Sequence, residues 1–298
     1  MTICMTRRNF ATLAGVALFV PPVLAQADAP LISRAIPSSG ERLPAVGLGT
    51  AQVFDRADDA IRQKAAAVLQ TLIAKGGRLI DTASSYGDAE SVLGDVIARA
   101  GLRDKFFIAT KLENADAAEL KRSLARLKTE KVDLLQLHNV RNPRQSLAQF
   151  KDWKAQGRCR YIGITSTFHS DFAAVEELLK REKPDFVQID YSLEDRTAEK
   201  RVLPLASEVK AAVLTALPFG RARLFRAVRG KEIPDWARDF SDSWAQFFLK
   251  FLLGDPRVTA VIPGTSNPEH MTDNLGAMRG PLPDQDQRRR MVTFIEAL

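Results

Sequence analysis

The chain has 298 residues, with 43 Lys or Arg against 36 Asp or Glu for a net charge of +7; 45% of residues are hydrophobic, 27% are charged and two are cysteines. That length suits one large domain, since α/β barrels of about 250 residues fold as a unit, and the near-average composition excludes collagen, coiled-coil and disordered classes. Two cysteines cannot staple a disulfide scaffold, no apolar run reaches the roughly 18–20 residues of a spanning helix, and the positive balance admits nucleic acid, a membrane surface or a phosphorylated cofactor as an anionic partner.

At the N-terminus, Thr6-Arg7-Arg8-Asn9-Phe10 precedes an apolar stretch over 11–24, broken by Pro21-Pro22 and ending at Ala25-Gln26-Ala27, a small-x-small cleavage pattern. This segment resembles a bacterial twin-arginine (Tat) export signal. The expected organisation is therefore a signal peptide over 1–27 and one domain over 28–298, with the Tat export machinery as a partner and a periplasmic location. The location is cytoplasmic if the signal is not used. An uncleaved amphipathic anchor is the alternative, but the apolar run is too short for a stable membrane anchor. Removing 27 of the 298 residues leaves 271, lowers the charge from +7 to +5 by taking away Arg7 and Arg8, and leaves Cys159 as a lone thiol.

Downstream, Ile61, Ala65, Val68, Leu69, Leu72 and Ile73 fall at helical spacing until Gly76-Gly77, and an apolar run follows at once. The pattern recurs. Strands are expected at 46–50, 79–82, 106–110, 132–138, 161–165, 186–190, 212–216 and 258–262. Amphipathic stretches separate them, marked by Val92/Val96/Ile97, Leu120/Leu124/Leu127, Leu147/Phe150/Lys154, Phe172/Val175/Leu179, Val202/Leu205/Val209 and Phe247/Phe248/Phe251. Such alternation implies parallel pairing by right-handed crossovers, with strands buried on both faces. The expected fold class is α/β, a (β/α)8 TIM barrel. Residues 34–44, turning at Ser38-Ser39-Gly40, are expected to form a β-hairpin that closes the barrel bottom. An open doubly wound sheet with an appended domain is the alternative, but no Gly-rich dinucleotide fingerprint follows any expected strand.

Barrel chemistry sits where strands end and βα loops begin. Those positions hold Asp81 after the second strand, Tyr86 five residues on, Lys111 at the end of the third and His138 at the end of the fourth. Each has a structural explanation when taken alone. Lys111 resists it most, because Ile108-Ala109-Thr110 runs an apolar strand straight into an ammonium that must be paired or desolvated. Four proton-handling groups on three adjacent strand ends make a candidate catalytic cluster.

The run Ile80-Asp81-Thr82-Ala83-Ser84-Ser85-Tyr86-Gly87 with Ala89-Glu90 and Leu93-Gly94 resembles the aldo-keto reductase family. So do Ala109-Thr110-Lys111, Val132-Asp133-Leu134-Leu135-Gln136-Leu137-His138, Tyr161-Ile162-Gly163-Ile164-Thr165-Ser166, Gln188 and Ile262-Pro263-Gly264, across roughly residues 40–280. The resemblance implies an NAD(P)H-dependent oxidoreductase that reduces aldehydes or ketones. It implies a catalytic tetrad of Asp81, Tyr86, Lys111 and His138, with Tyr86 donating a proton to the carbonyl oxygen. Free tyrosine, with a pKa of about 10, is too weak an acid for neutral pH unless its anion is stabilised. Lys111, held charged by Asp81, is the group for that task, and His138 would orient the carbonyl.

The resemblance also implies NADP(H) rather than NAD(H), although the cofactor positions depart from the family. Thr165-Ser166 stand where members carry Ser-Asn for the nicotinamide amide, and Gln188 is retained. Ala216 stands where a ring-stacking Tyr is usual, with Leu217, Phe219 and Gly220 following it. Gly264 and His270 replace a Lys and an Arg, leaving Thr265, Asn267 and Asn274 as uncharged candidates. Arg221, Arg223, Arg226, Arg229 and Lys231 put five positive charges into eleven residues at the barrel end where phosphate commonly binds. Arg221 and Arg223 are the phosphate candidates. For the substrate, Ala51 stands where Trp is frequent and Asn139 where an aromatic is frequent. Phe54 is a candidate apolar wall, and no long loop follows to Leu298, so an open, polar pocket is expected. A catalytically idle cofactor-binding barrel is the competing function. No basic-aromatic pattern supports nucleic acid, no ligand spacing supports a metal, and a monomer is expected.

Overall fold

The computed structural model describes residues 30–140 and 143–298, so the signal-like segment over 1–27 lies outside the described residues. A hairpin of β1 (Ser33–Ala35) and β2 (Arg42–Pro44) leads into eight parallel strands: β3 (Leu48–Gly49), β4 (Leu79–Asp81), β5 (Phe107–Leu112), β6 (Val132–Leu137), β7 (Cys159–Ser166), β8 (Phe186–Asp190), β9 (Ala212–Ala216) and β10 (Ala260–Val261). They lie side by side in chain order. Bridges Val46↔Val261 and Gly49↔Gly264 join the first to the last and close the barrel. The two seam strands are shorter than the runs over 46–50 and 258–262 because only those isolated bridges pair them. At the seam, a Cβ on Gly49 would lie 2.8 Å from the Ile262 carbonyl oxygen, so the close approach of the strands requires glycine.

Helices α1 (Asp59–Ala74), α2 (Ala89–Ala100), α3 (Ala117–Arg126), α4 (Pro143–Ala155), α5 (Phe172–Glu182) and α6 (Val202–Glu208) connect successive strands. A short α7 (Arg223–Ala227) and α8 (Trp244–Leu253) connect β9 to β10, and α9 (Pro268–Gly276) and α10 (Gln285–Glu296) end the chain. Side-chain alternation sorts the strand residues into two cores. One face packs against the helices. The other fills the barrel with Leu79, Phe107, Leu134, Tyr161, Phe186, Leu214 and Ile262, beneath which lie Ile36 and Leu43 of the hairpin. The hairpin therefore plugs the bottom, as its turn residues predict. Its Ser39 and Glu41 receive the Tyr161 hydroxyl at 2.7 and 2.8 Å, and Glu41 pairs with Arg78 at 2.7 Å.

Cys159 is buried at the start of β7, and burial pushes its thiol up to about 12. It is a packing residue, not a nucleophile at neutral pH. No helix among the described residues is long and apolar enough to cross a membrane.

Candidate active site

The inward-facing rows that are apolar at the bottom become polar one step higher. Above Leu79 comes Asp81; above Phe107 and Ala109 comes Lys111; above Leu134 comes Gln136; above Phe186 comes Gln188. Lys111 and Asp81 are both buried and form a direct ion pair. The ammonium also donates to the Thr82 carbonyl at 2.9 Å, and the second carboxylate oxygen accepts from Gln188 at 2.8 Å and Gln136 at 3.1 Å. Burial pulls the Lys111 pKa down, but Asp81 and Tyr86 outweigh it and hold the ammonium above its ordinary value. Gly163 makes room for this layer, since a Cβ there would meet Gln136 and Phe186 at 3.1 Å.

Tyr86 arrives on a tight turn between β4 and α2. The turn is fastened by Tyr86 N–H to Ala83 at 3.2 Å, Ala89 N–H to Tyr86 at 3.0 Å and Ser84 N–H to Lys111 at 3.0 Å. Gly87 follows with φ 53°, and any Cβ there would lie 2.5 Å from the Asp55 carbonyl oxygen, so the turn depends on glycine. The result sets the Lys111 ammonium 4.9 Å from the Tyr86 ring centre. His138 lies just past β6 in a short turn rather than in the strand, because Asn139 and Val140 take φ of 52° and 45° and leave the sheet. Its ring meets Tyr86 edge-on with centroids 5.8 Å apart. Burial and then the Lys111 charge hold the His138 pKa below the ordinary imidazole value, against the opposing pull of Glu113 and Asp81. The imidazole is therefore neutral at pH 7.

Asp81, Tyr86, His138 and Gln188 floor one end of a cavity of about 1510 Å³ at the carboxyl ends of the strands, with Lys111 buried behind them. That exceeds the roughly 300–1,000 Å³ of ordinary small-molecule pockets, and leaves space for a dinucleotide beside a substrate.

A sequence model of the Aldo/keto reductase family matches residues 45–290. The chain belongs to the aldo/keto reductase family. It is 29% identical over 248 residues to methylglyoxal reductase YeaE of Escherichia coli, covering 79% of this chain and 86% of that protein. It is likewise 29% identical over 260 residues to an uncharacterized oxidoreductase, YqkF, of Bacillus subtilis, covering 72% and 82%. Among solved structures, an aldo-keto reductase from Klebsiella pneumoniae in complex with NADPH superposes with a TM-score of 0.77 at 26% identity, covering 89% of this chain and 96% of that one.

Within this aldo/keto reductase fold the sequence-predicted cofactor residues divide. Thr165, Gln188, Leu217, Phe219, Arg221, Gly264, Thr265, His270 and Asn274 line the cavity. Ser166 does not. Its hydroxyl accepts from Phe168 N–H at 3.0 Å and donates to Asp171 at 2.8 Å, so it braces the loop after β7. Arg223 also lies outside the lining, paired with Glu194 at 2.5 Å. Arg226, Arg229 and Lys231 are exposed and do not line the cavity, and Gly220 backs onto Glu194. Among the described residues that line the cavity, Arg221 is the one Lys or Arg. Of the substrate candidates, Ala51 and Asn139 face the cavity. Phe54 does not: the turn after Thr50, with Gln52 at φ 59°, presents Val53 and Asp55 to the cavity and drives Phe54 fully into the barrel–helix core. Sequence reasoning did not reach Gln136 as a partner of Asp81, Glu113 as a partner of His138, or Phe225, Ser243, Trp244 and Asp273 in the lining. For Gln136 the signal was an uncharged polar residue at an inward position of an apolar strand.

Removing Asp81 strands a buried ammonium, at a typical cost of about 3–5 kcal/mol. Asp81→Ala is therefore expected to lower the urea midpoint sharply, while Asp81→Ala combined with Lys111→Met recovers much of the loss. Additive destabilisation in the double variant would contradict the coupling.

Proposed function

We propose that the chain reduces aldehydes or ketones to alcohols with NADPH, with Tyr86 as the proton donor. Family membership makes it an NAD(P)H-dependent oxidoreductase. The observation that carries the finer reading is the stack Asp81–Lys111–Tyr86 at the floor of a cavity large enough for cofactor and substrate together. The Klebsiella pneumoniae relatives, complexes with NADPH and with NADP and acetate, support NADP(H) as the nucleotide.

The residues present fit that nucleotide. Gln188 spends its amide nitrogen on Asp81, which leaves its carbonyl oxygen to accept from a carboxamide. The Thr165 hydroxyl, which takes Asn139 N–H at 3.1 Å, retains its own proton to donate. Phe219, Phe225 and Trp244 offer aromatic surface where Ala216 offers none, and Arg221 supplies the positive charge for phosphate. When bound, the nucleotide supplies a hydride to the carbonyl carbon. Tyr86 donates its phenolic proton to the carbonyl oxygen as negative charge gathers there. The Lys111 ammonium beside the ring stabilises the phenolate that remains, and Asp81 keeps that ammonium charged. Positioned proton transfer of this kind contributes about 10²–10⁴-fold.

The idle-barrel alternative has no observation in its favour. Export of the chain by the twin-arginine route belongs to the proposal on the strength of Arg7-Arg8 and Ala25-Gln26-Ala27 alone. Because such cargo folds before crossing, the barrel would leave the cytosol with its nucleotide already bound.

In a spectrophotometric assay with 4-nitrobenzaldehyde, Tyr86→Phe is expected to cut turnover at least about 10²-fold while NADPH still binds; near-normal turnover would sink the role of Tyr86. Arg221→Ala is expected to weaken NADPH binding in a fluorescence titration, whereas Arg223→Ala leaves it near wild type. Equal effects would mean the two arginines share the phosphate. Cell fractionation is expected to recover a shortened chain, with nucleotide detectable by mass spectrometry, in the periplasm and to lose it there in Arg7→Lys/Arg8→Lys. An unshifted distribution removes export from the account.

A further inference from the structure

Helix α3 presents two rows of side chains that lie one residue apart. Leu120, Leu124 and Leu127 pack into the apolar core. Glu119, Ser123 and Arg126, at the same i, i+4, i+7 spacing, put a carboxylate, a hydroxyl and a guanidinium along the neighbouring line. All three reach the turn after β4 or the start of α2. The Ser84 hydroxyl donates to Glu119 at 2.6 Å, and Arg126 donates to the Ser84 carbonyl at 3.1 Å. Ser123 donates to the buried Glu90 carboxylate, which also accepts at 2.7 Å from Thr110, the residue before Lys111.

With its N–H on the Lys111 carbonyl at 3.0 Å, Ser84 has every polar group engaged, and it stands two residues before Tyr86. The bonds that Tyr86 makes with Ala83 and Ala89 are internal to the turn, so they fix its shape but not its place. Its place comes from two tethers. One is Asp88 N–H to the Asp55 carbonyl at 3.1 Å, on the far side; the other is Ser84, which joins the turn to β5 and α3. The Glu119 carboxylate is itself held, because it also accepts from the backbone N–H of Glu113 at 3.0 Å and of Asn114 at 3.4 Å. Ser84, Glu119 and Arg126 all lie outside the cavity lining, so they act on the site only through the residues they hold.

We infer that Glu119, acting through the Ser84 hydroxyl, is a positioning residue that holds the Tyr86 turn over the Lys111 ammonium. A hydroxyl given to a carboxylate makes a short, charge-assisted bond, and here it ties the strand-end turn to a helix packed outside the barrel. Releasing it leaves the Ser84 backbone bonds to Lys111 and Arg126 in place, so the turn loosens without unravelling. A displacement of about 1 Å at a reacting group costs up to about 10²-fold in rate. The effect on turnover rests on Tyr86 being the proton donor; the tether does not.

Turnover and spectroscopy test the two parts separately. With 4-nitrobenzaldehyde, Ser84→Ala and Glu119→Ala are each expected to lower kcat at least about tenfold while NADPH binding stays near wild type. Glu119→Gln, whose amide oxygen still accepts the hydroxyl, keeps most of the activity. Placed on Tyr86→Phe, neither alanine variant lowers kcat further, because the proton they help to deliver is already gone. An unchanged kcat in Ser84→Ala, or the same fold loss with and without the Tyr86 hydroxyl, overturns the positioning role. The chain has three tyrosines, so ¹⁹F spectra of protein labelled with 3-fluorotyrosine separate Tyr86, identified by its loss in Tyr86→Phe, from Tyr161 and Tyr191. Ser84→Ala is expected to shift or broaden the Tyr86 line and to leave the other two in place. An unmoved Tyr86 line, or movement of all three, overturns the tether. The spectrum reports the turn whether or not the aldehyde is reduced. Near-normal turnover in Tyr86→Phe beside a displaced Tyr86 line in Ser84→Ala therefore counts against the proton-donor reading and not against the tether.

Discussion

The ion pair between Asp81 and Lys111 is a liability that the barrel is arranged to satisfy. Taking two such charges out of water costs several kcal/mol each, while their attraction at contact in an effective dielectric near 20 returns about 4 kcal/mol. Coulomb energy alone does not close that gap. The remainder comes from hydrogen bonds reaching the pair from three other places: the Thr82 carbonyl, the Gln136 amide and the Gln188 amide. Each reaches the pair because the inward rows of β4, β5, β6 and β8 turn polar toward the carboxyl ends of the strands. Gly163 on β7 withholds a side chain so that Gln136 can lie across. The reactive end of the cavity is thus built on a polar layer whose stability depends on the apolar layers and the hairpin beneath it.

That dependence explains what was legible in the residues. An apolar run ending in Asp81 or Lys111 is visible in one dimension, since a two-residue period assigns the charge to the same face as the core residues below it. Eight such runs separated by amphipathic stretches specify the barrel, and a turn of Ser38-Ser39-Gly40 specifies the plug. What escaped was decided by loop geometry or by a distant partner. Phe54 reads as a pocket wall until the turn after Thr50 rotates it into the core. The Ser166 hydroxyl reads as available until Asp171 and Phe168 occupy it.

The basic loop after β9 shows the same limit in electrostatic form. Five positive charges without an intervening acid look like one phosphate clamp, but charge acts through space. Glu194, from the loop after β8, neutralises Arg223. Asp190 at the end of β8 is raised to about 6 chiefly by burial and by Asp195, with Arg221 and Arg223 pulling the other way. Above that value it is ionised and further offsets the loop. Of the cluster, Arg221 alone reaches the cavity lining. Its φ of 53° marks the turn that aims it there. A count of arginines therefore overstates the local charge, and of this loop's described cations one reaches the cavity.

The two ring systems over the ion pair then divide the work by the charge each can tolerate. Tyr86 faces the Lys111 ammonium, and its proposed role as proton donor rests on that contact. The pKa of His138 is held below its ordinary value by burial and then by the same cation, against the opposing pull of Glu113. One ammonium thus bears on both rings, and in the proposed reaction it is the phenol that gives the proton.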